Sequence, residues 1–219
     1  MPAFGRVLTA MATPFAPDGS LDEPRAAELA RALVATGSEG LVVTGTTGEA
    51  PTLTKSEKLR LYEVVREAVG GQASVIAGTS TYNTAESVEL TREAAKRGVD
   101  GFLLVVPPYN KPTQEGLYRH FGMIASATTL PCILYNVPSR TVTNLQPATV
   151  VRLREFANIV GIKEASGDLE QIATIIEACG PEFLVWSGDD ALTLPILAVG
   201  GYGVVSVLSP PRWPADSRR

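Results

Sequence analysis

The chain has 219 residues, 45% hydrophobic and 19% charged, enough to bury one sizeable core and without a composition shift that would divide it. A formal net charge of −4 leaves no basic stripe to hold a phosphate backbone, which argues against nucleic acid and points to small-molecule partners. No uninterrupted apolar run reaches the ~18 residues of a membrane span, and Cys132 and Cys179 have apolar neighbours and no C-x-x-C spacing, as reduced core thiols of a cytoplasmic protein do.

Short aliphatic and β-branched runs recur along the sequence at 7–12, 41–44, 75–77, 102–106, 132–135, 159–162, 183–186 and 204–207. The first is too short for the apolar region of a signal peptide and reads as a strand. All are continuously apolar rather than alternating, the pattern of strands buried on both faces of a parallel sheet. The intervals between them are long enough for crossover helices, and several carry helix signals. Thr54-x-x-Glu57 and Asp168-x-x-Gln171 fit capping boxes, and Pro147 suits a first helical turn. Leu61, Val64, Val65 and Ala68 share one helical face while Arg60, Glu63 and Arg66 fall on the other; Ile172, Ile175 and Ile176 repeat the design.

Strict βα alternation predicts an α/β protein with a (β/α)8 TIM-barrel fold occupying 1–207. A doubly wound open sheet is the alternative, weakened because neither G-x-G-x-x-G nor a Walker motif occurs. The segment 208–219 holds Pro210, Pro211 and Pro214 and no apolar periodicity, so it predicts an irregular Pro/Arg-rich tail and a barrel truncated after strand eight, without its final helix.

In such a barrel the chemistry belongs where strands end and βα loops begin. Lys163 ends the run 159–162, which sets its amine near a poorly hydrated mouth. Desolvation there lowers a lysine pKa, and a neutral amine attacks a ketone; the bland readings are a snorkelling lysine or a pair with Glu164. Tyr135 is expected at the same level on the neighbouring strand as a proton shuttle, or else as a rim aromatic. Gly45-Thr46-Thr47-Gly48 offers backbone N–H groups and hydroxyls in a tight curve that suits a carboxylate, or is an ordinary glycine-permitted turn. Arg140 supplies a two-pronged donor for a second carboxylate, though surface arginines are common. Tyr109 follows strand four.

Metal chemistry has less to work with. His120, the one histidine, lies in 117–121 away from any strand end and reads as a partly exposed helix residue. Asp189 and Asp190 with Glu49 and Glu164 compose a conceivable magnesium site, but helix capping after strand seven suits the two aspartates better.

These motifs in combination, GTTGE at 45–49, PYNKPTQEG at 108–116, YNVPSRT at 135–141, GIKEASGD at 161–168 and SGDD at 187–190, give a sequence that resembles the dihydrodipicolinate synthase (4-hydroxy-tetrahydrodipicolinate synthase) family. That family lies within the pyruvate-dependent aldolases, which also include N-acetylneuraminate lyase. The likeness runs from about Val7 to Val207. It implies that Lys163 forms an imine with pyruvate, and that Thr46, Thr47 and the backbone of Val205 hold pyruvate beside Gly45 and Gly48. It further implies a proton relay of Tyr135, Thr46 and Tyr109, with Tyr109 reaching into a neighbouring subunit, and Arg140 on the carboxylate of aspartate 4-semialdehyde. No cofactor is implied, and homodimers or homotetramers are. Ser139-Arg140 favours the synthase over sialic-acid or sugar-acid lyases.

Lys55 and Lys58 stand where lysine-inhibited members resemble one another in having histidines, and Pro108 stands for a tyrosine, so weak or absent feedback inhibition is expected. Family members continue past strand eight into a closing helix and a small helical region. An inactive truncated barrel fragment is therefore the competing expectation.

Overall fold

In a computed structural model that describes residues 3–207, eight parallel strands close on themselves in sequence order, β8 pairing with β1. They are β1 (Val7–Ala10), β2 (Gly40–Val43), β3 (Ser74–Gly78), β4 (Gly101–Val105), β5 (Cys132–Asn136), β6 (Ile159–Glu164), β7 (Leu184–Ser187) and β8 (Gly203–Ser206). The helices are α1 (Glu23–Ala35), α2 (Lys55–Val69), α3 (Thr84–Ala95), α4 (Gln114–Ala125), α5 (Pro138–Thr141), α6 (Pro147–Leu153), α7 (Leu169–Cys179) and α8 (Thr193–Ala198). The TIM-barrel expectation is met; the expected tail, 208–219, lies outside the described residues.

Strand limits move by a residue or two from those expected. The difference that matters is at β6, which runs on through Lys163 and Glu164 because they pair with Tyr135 and Asn136 of β5 and with Trp186 and Ser187 of β7. β2 and β5 are buried along their whole length, as unbroken apolar runs require.

The core has two layers. Inside the barrel, Leu8, Val42, Ile76, Leu103, Ile133 and Trp186 pack with Tyr135 and Val205. Between the wall and the helices, Leu134 and Ile162 meet Leu61, Val65, Ile172 and Ile175, which confirms the faces assigned to α2 and α7. The opposite face of α2 carries Arg60 and Glu63, joined in ion pairs to Glu23 of α1 and Arg97 at the end of α3.

The β5–β6 seam is irregular: Cys132 pairs with Ile159 but Ile133 pairs with Gly161, so Val160 is an extra residue on β6. Gly161 permits the close packing this needs, since a Cβ there would lie 2.1 Å from the Leu184 carbonyl oxygen.

Three local expectations are corrected. Thr54 and Glu57 form the full capping box, but at α7 only Asp168 plays its part, accepting from Gln171 N; the Gln171 side chain instead donates to Glu164 and Asn144. His120 is buried rather than partly exposed, because Ser80 and Thr84 satisfy its two ring nitrogens at 3.1 and 2.8 Å. Burial lowers its pKa to about 4, so it is held neutral. Asp189 and Asp190 do not cap α8, whose N-cap is Leu192 without a side-chain bond. Asp189 accepts from Ala191 N and Asp190 from Val207 N.

Candidate active site

The C-terminal ends of β2, β4, β5 and β6 bring most of the expected residues to one mouth. Lys163 is 4% exposed, and its Nζ lies 4.2 Å from the centre of the Tyr135 ring. The shared level of the two follows from their register pairing. Burial, chiefly, brings the lysine pKa down to about 8; the Asp190 carboxylate opposes the shift and the Arg140 guanidinium assists it. Roughly a tenth of the amine is then neutral at pH 7, against less than one part in a thousand for an ordinary lysine. Glu164 is no partner for it. That carboxylate faces the other way, toward Asn136, Ser166 and Gln171.

Gly188, at the end of β7, gives the lysine room: a Cβ there would sit 2.9 Å from Lys163 Cε and 2.9 Å from Ala165 Cβ. Tyr135 is buried rather than a rim residue, and burial pushes its phenol up while the Arg140 charge pulls it down. It stays protonated at neutral pH and is fit to pass a proton on.

Tyr135, Gly45, Thr46 and Arg140 line a cavity of about 440 Å³ that continues past Ser80, Lys58 and Pro108. Lys163, Thr47, Gly48, Val205 and Tyr109 are not in its lining. Tyr135 joins the two regions, because its ring carries the lysine and its side chain faces the cavity. Val205 is buried in the same interior layer as Tyr135. Tyr109 is 89% exposed, with φ 70°.

The GTTG loop is bent by residues other than its glycines. Thr44 (φ 53°) and Glu49 (φ 56°) take the left-handed conformation at its two ends. Thr44 is held there by its hydroxyl, 2.7 Å from Tyr62 Oη and 3.1 Å from the Gly78 carbonyl. Gly48 is closely approached, its Cβ position lying 3.0 Å from the Met11 carbonyl. The amides of Glu49 and Ala50 turn back onto Thr46 and Gly45; among the described residues no acceptor takes those of Thr46 and Thr47, which are exposed. The carboxylates considered for magnesium do not converge, since no three His, Cys, Asp or Glu side chains cluster among the described residues. No helix there is long and apolar enough to cross a membrane.

Sequence reasoning missed Thr44, Gly188 and a polar group formed by buried Asn136, Glu164 and Gln171 with exposed Asn144. Its one visible signal was a carboxylate directly following Lys163 inside an apolar strand.

Comparison with known proteins gives the family and agrees with the fold. The Dihydrodipicolinate synthetase family matches over residues 3–211. The chain is 64% identical to the 4-hydroxy-tetrahydrodipicolinate synthase of Symbiobacterium thermophilum over 95% of its own length and 71% of the relative's. It is 60% identical to that of Moorella thermoacetica, covering 94% and 70%. The crystal structure of a Bacillus anthracis dihydrodipicolinate synthase superposes with a TM-score of 0.94 at 50% identity, covering 95% of this chain and 72% of that one. The lysine-bound enzyme of Cyanidioschyzon merolae superposes with 0.94 at 51% identity, covering 95% and 72%. With this fold, this lysine–tyrosine pair and these relatives, the chain belongs to the dihydrodipicolinate synthetase family.

Proposed function

We propose that the protein is a 4-hydroxy-tetrahydrodipicolinate synthase, a lyase of lysine and diaminopimelate biosynthesis that joins pyruvate to L-aspartate 4-semialdehyde. The observation that carries the reading is Lys163, buried against the Tyr135 ring and brought to a pKa of about 8. Its neutral amine adds to the pyruvate ketone, and loss of water leaves an imine on Nζ. The imine is the electron sink, so no cofactor is required: removal of a methyl proton gives an enamine whose carbon attacks the aldehyde.

Tyr135, with Thr46 and Tyr109, moves the protons. The amides of Thr46 and Thr47 receive the pyruvate carboxylate, with Gly45 and Gly48 shaping the turn and Val205 closing the inner wall. Arg140, at the cavity, receives the carboxylate of the aldehyde. The 89% exposure of Tyr109 supports a second copy supplying its cover, hence a homodimer or homotetramer, and we assign the protein to the cytoplasm.

The test is to incubate the chain with pyruvate, reduce with borohydride and map the added mass. A label on Lys163 supports the reading. No label, in folded protein, rejects it and favours the inactive-fragment alternative. A label together with turnover of N-acetylneuraminate and none of the semialdehyde moves the assignment to the lyase.

A further inference from the structure

Behind the reactive pair, on the opposite face of the barrel wall, sits a second pair at the next register position. Asn136 follows Tyr135, Glu164 follows Lys163, and the two are register partners. Both are fully buried. They share the parity of Leu134 and Ile162, which pack toward the helices, whereas Tyr135 belongs to the interior layer. Asn136 Nδ2 donates to both Glu164 oxygens, at 3.1 and 3.3 Å. Ser166 N donates to Oε1 at 2.8 Å and Gln171 Nε2 to Oε2 at 3.3 Å, so the carboxylate meets donors throughout. Asn136 is equally committed: its Oδ1 accepts from Leu145 N at 2.9 Å and its Nδ2 also reaches Asn144 Oδ1 at 2.8 Å.

The seam below explains the need for such a pair. The extra residue Val160 slips the β5–β6 register by one. Without that slip Tyr135 would stand level with Ile162, and Lys163 with Asn136. Above the bulge the new register extends only from Ile133 and Gly161 to Asn136 and Glu164, so the buried pair is its last rung. One step lower on the same outer face the wall is filled by Leu134 and Ile162. Ordinary packing at this level would be served by residues of that kind, because a buried carboxylate adds no stability over well-packed apolar side chains. What a hydrogen-bonded pair adds is a fixed register.

We propose that Asn136 and Glu164 are positioning residues that hold Tyr135 and Lys163 level across the β5–β6 seam, each acting through its chain neighbour. The proposal rests on the imine reading above.

The test uses the whole chain and pyruvate, with borohydride quenching at successive times and intact mass as the readout, from pH 6 to 10. Glu164→Gln keeps the volume but turns an amide toward groups that already donate. Its imine formation is expected to slow about tenfold or more and the midpoint of its pH profile to move up by about half a unit, because the lysine leaves its buried place against the ring. Ile175→Ala, which removes core packing from α7, should melt earlier yet keep the wild-type rate and profile. Glu164→Gln combined with Gln171→Glu returns a carboxylate to the group and should recover part of the rate.

If Glu164→Gln does not fold, as judged by circular dichroism, Glu164→Asp replaces it, with a smaller slowing and the same direction of shift. A folded Glu164 variant with the wild-type rate and a superimposable profile overturns the proposal. So does slowing no greater than that of Ile175→Ala at equal loss of melting temperature. Absence of label on the wild type fails differently, removing the imine reading and the proposal together.

Discussion

Replacing Lys163 by methionine removes the amine and the cost of holding a cation in a water-poor wall. A fall from 10.5 to about 8 corresponds to about 3 kcal/mol acting against the buried ammonium at neutral pH. The variant also loses the contact of the ammonium with the Tyr135 ring, which offsets ~0.5–2 kcal/mol. Lys163→Met is therefore expected to abolish imine formation and to be more stable than wild type at pH 7 by about 1–3 kcal/mol, roughly 3–10 °C in Tm.

The pH dependence follows from the direction of the shift. Below pH 8 the lysine is charged whether folded or unfolded, and the full cost is present. Between pH 8 and 10.5 the folded protein has released the proton that the unfolded chain still binds, so wild type gains on the variant as pH rises. Paired thermal melts of the two proteins at pH 7 and pH 10 test this, since all other groups cancel in the difference. A gap that stays constant with pH, or a variant less stable at pH 7, refutes the claim that burial holds this amine down.

Gly188→Ala brings a methyl group to 2.9 Å from Lys163 Cε, and pyruvate trapping is expected to slow about tenfold or more while circular dichroism remains unchanged. Wild-type trapping in that variant would mean the lysine does not need the space. Thr44→Val removes the hydroxyl that meets Tyr62 and Gly78 but keeps the left-handed backbone, and should cost about 1–3 kcal/mol in a denaturant melt. L-Lysine at millimolar concentration should leave turnover unchanged, because Lys55 is tied to Glu89 and Glu93 while Lys58 places a cation on the cavity beside Pro108. Inhibition in a steady-state titration would contradict this.

The barrel was legible because strands buried on both faces must be apolar throughout, and eight such runs leave one dominant arrangement. Lys163, Tyr135, Thr46 and Arg140 were legible because polar residues at the ends of those runs have few other reasons to be there. Thr44 was not, since nothing in a threonine announces a left-handed backbone; its partners Tyr62 and Gly78 act from other elements. His120 was misjudged for the same reason, its partners Ser80 and Thr84 lying 40 and 36 residues away. The slip at Val160 leaves no mark in composition or periodicity, because one more valine in an apolar run is simply one more valine.

That single residue has an outcome for how the sequence tolerates change. A side chain on a strand points alternately inward and outward, so a β6 of this length without the bulge would turn the amine toward the helices. Deleting Val160 would join Ile159 to Gly161 in regular pairing with Cys132 and Ile133, removing the bulge while keeping Lys163 opposite Tyr135 and its amine inside the barrel. A relative one residue shorter at this point would therefore keep both the motif and the seat of its amine, the bulge alone being lost.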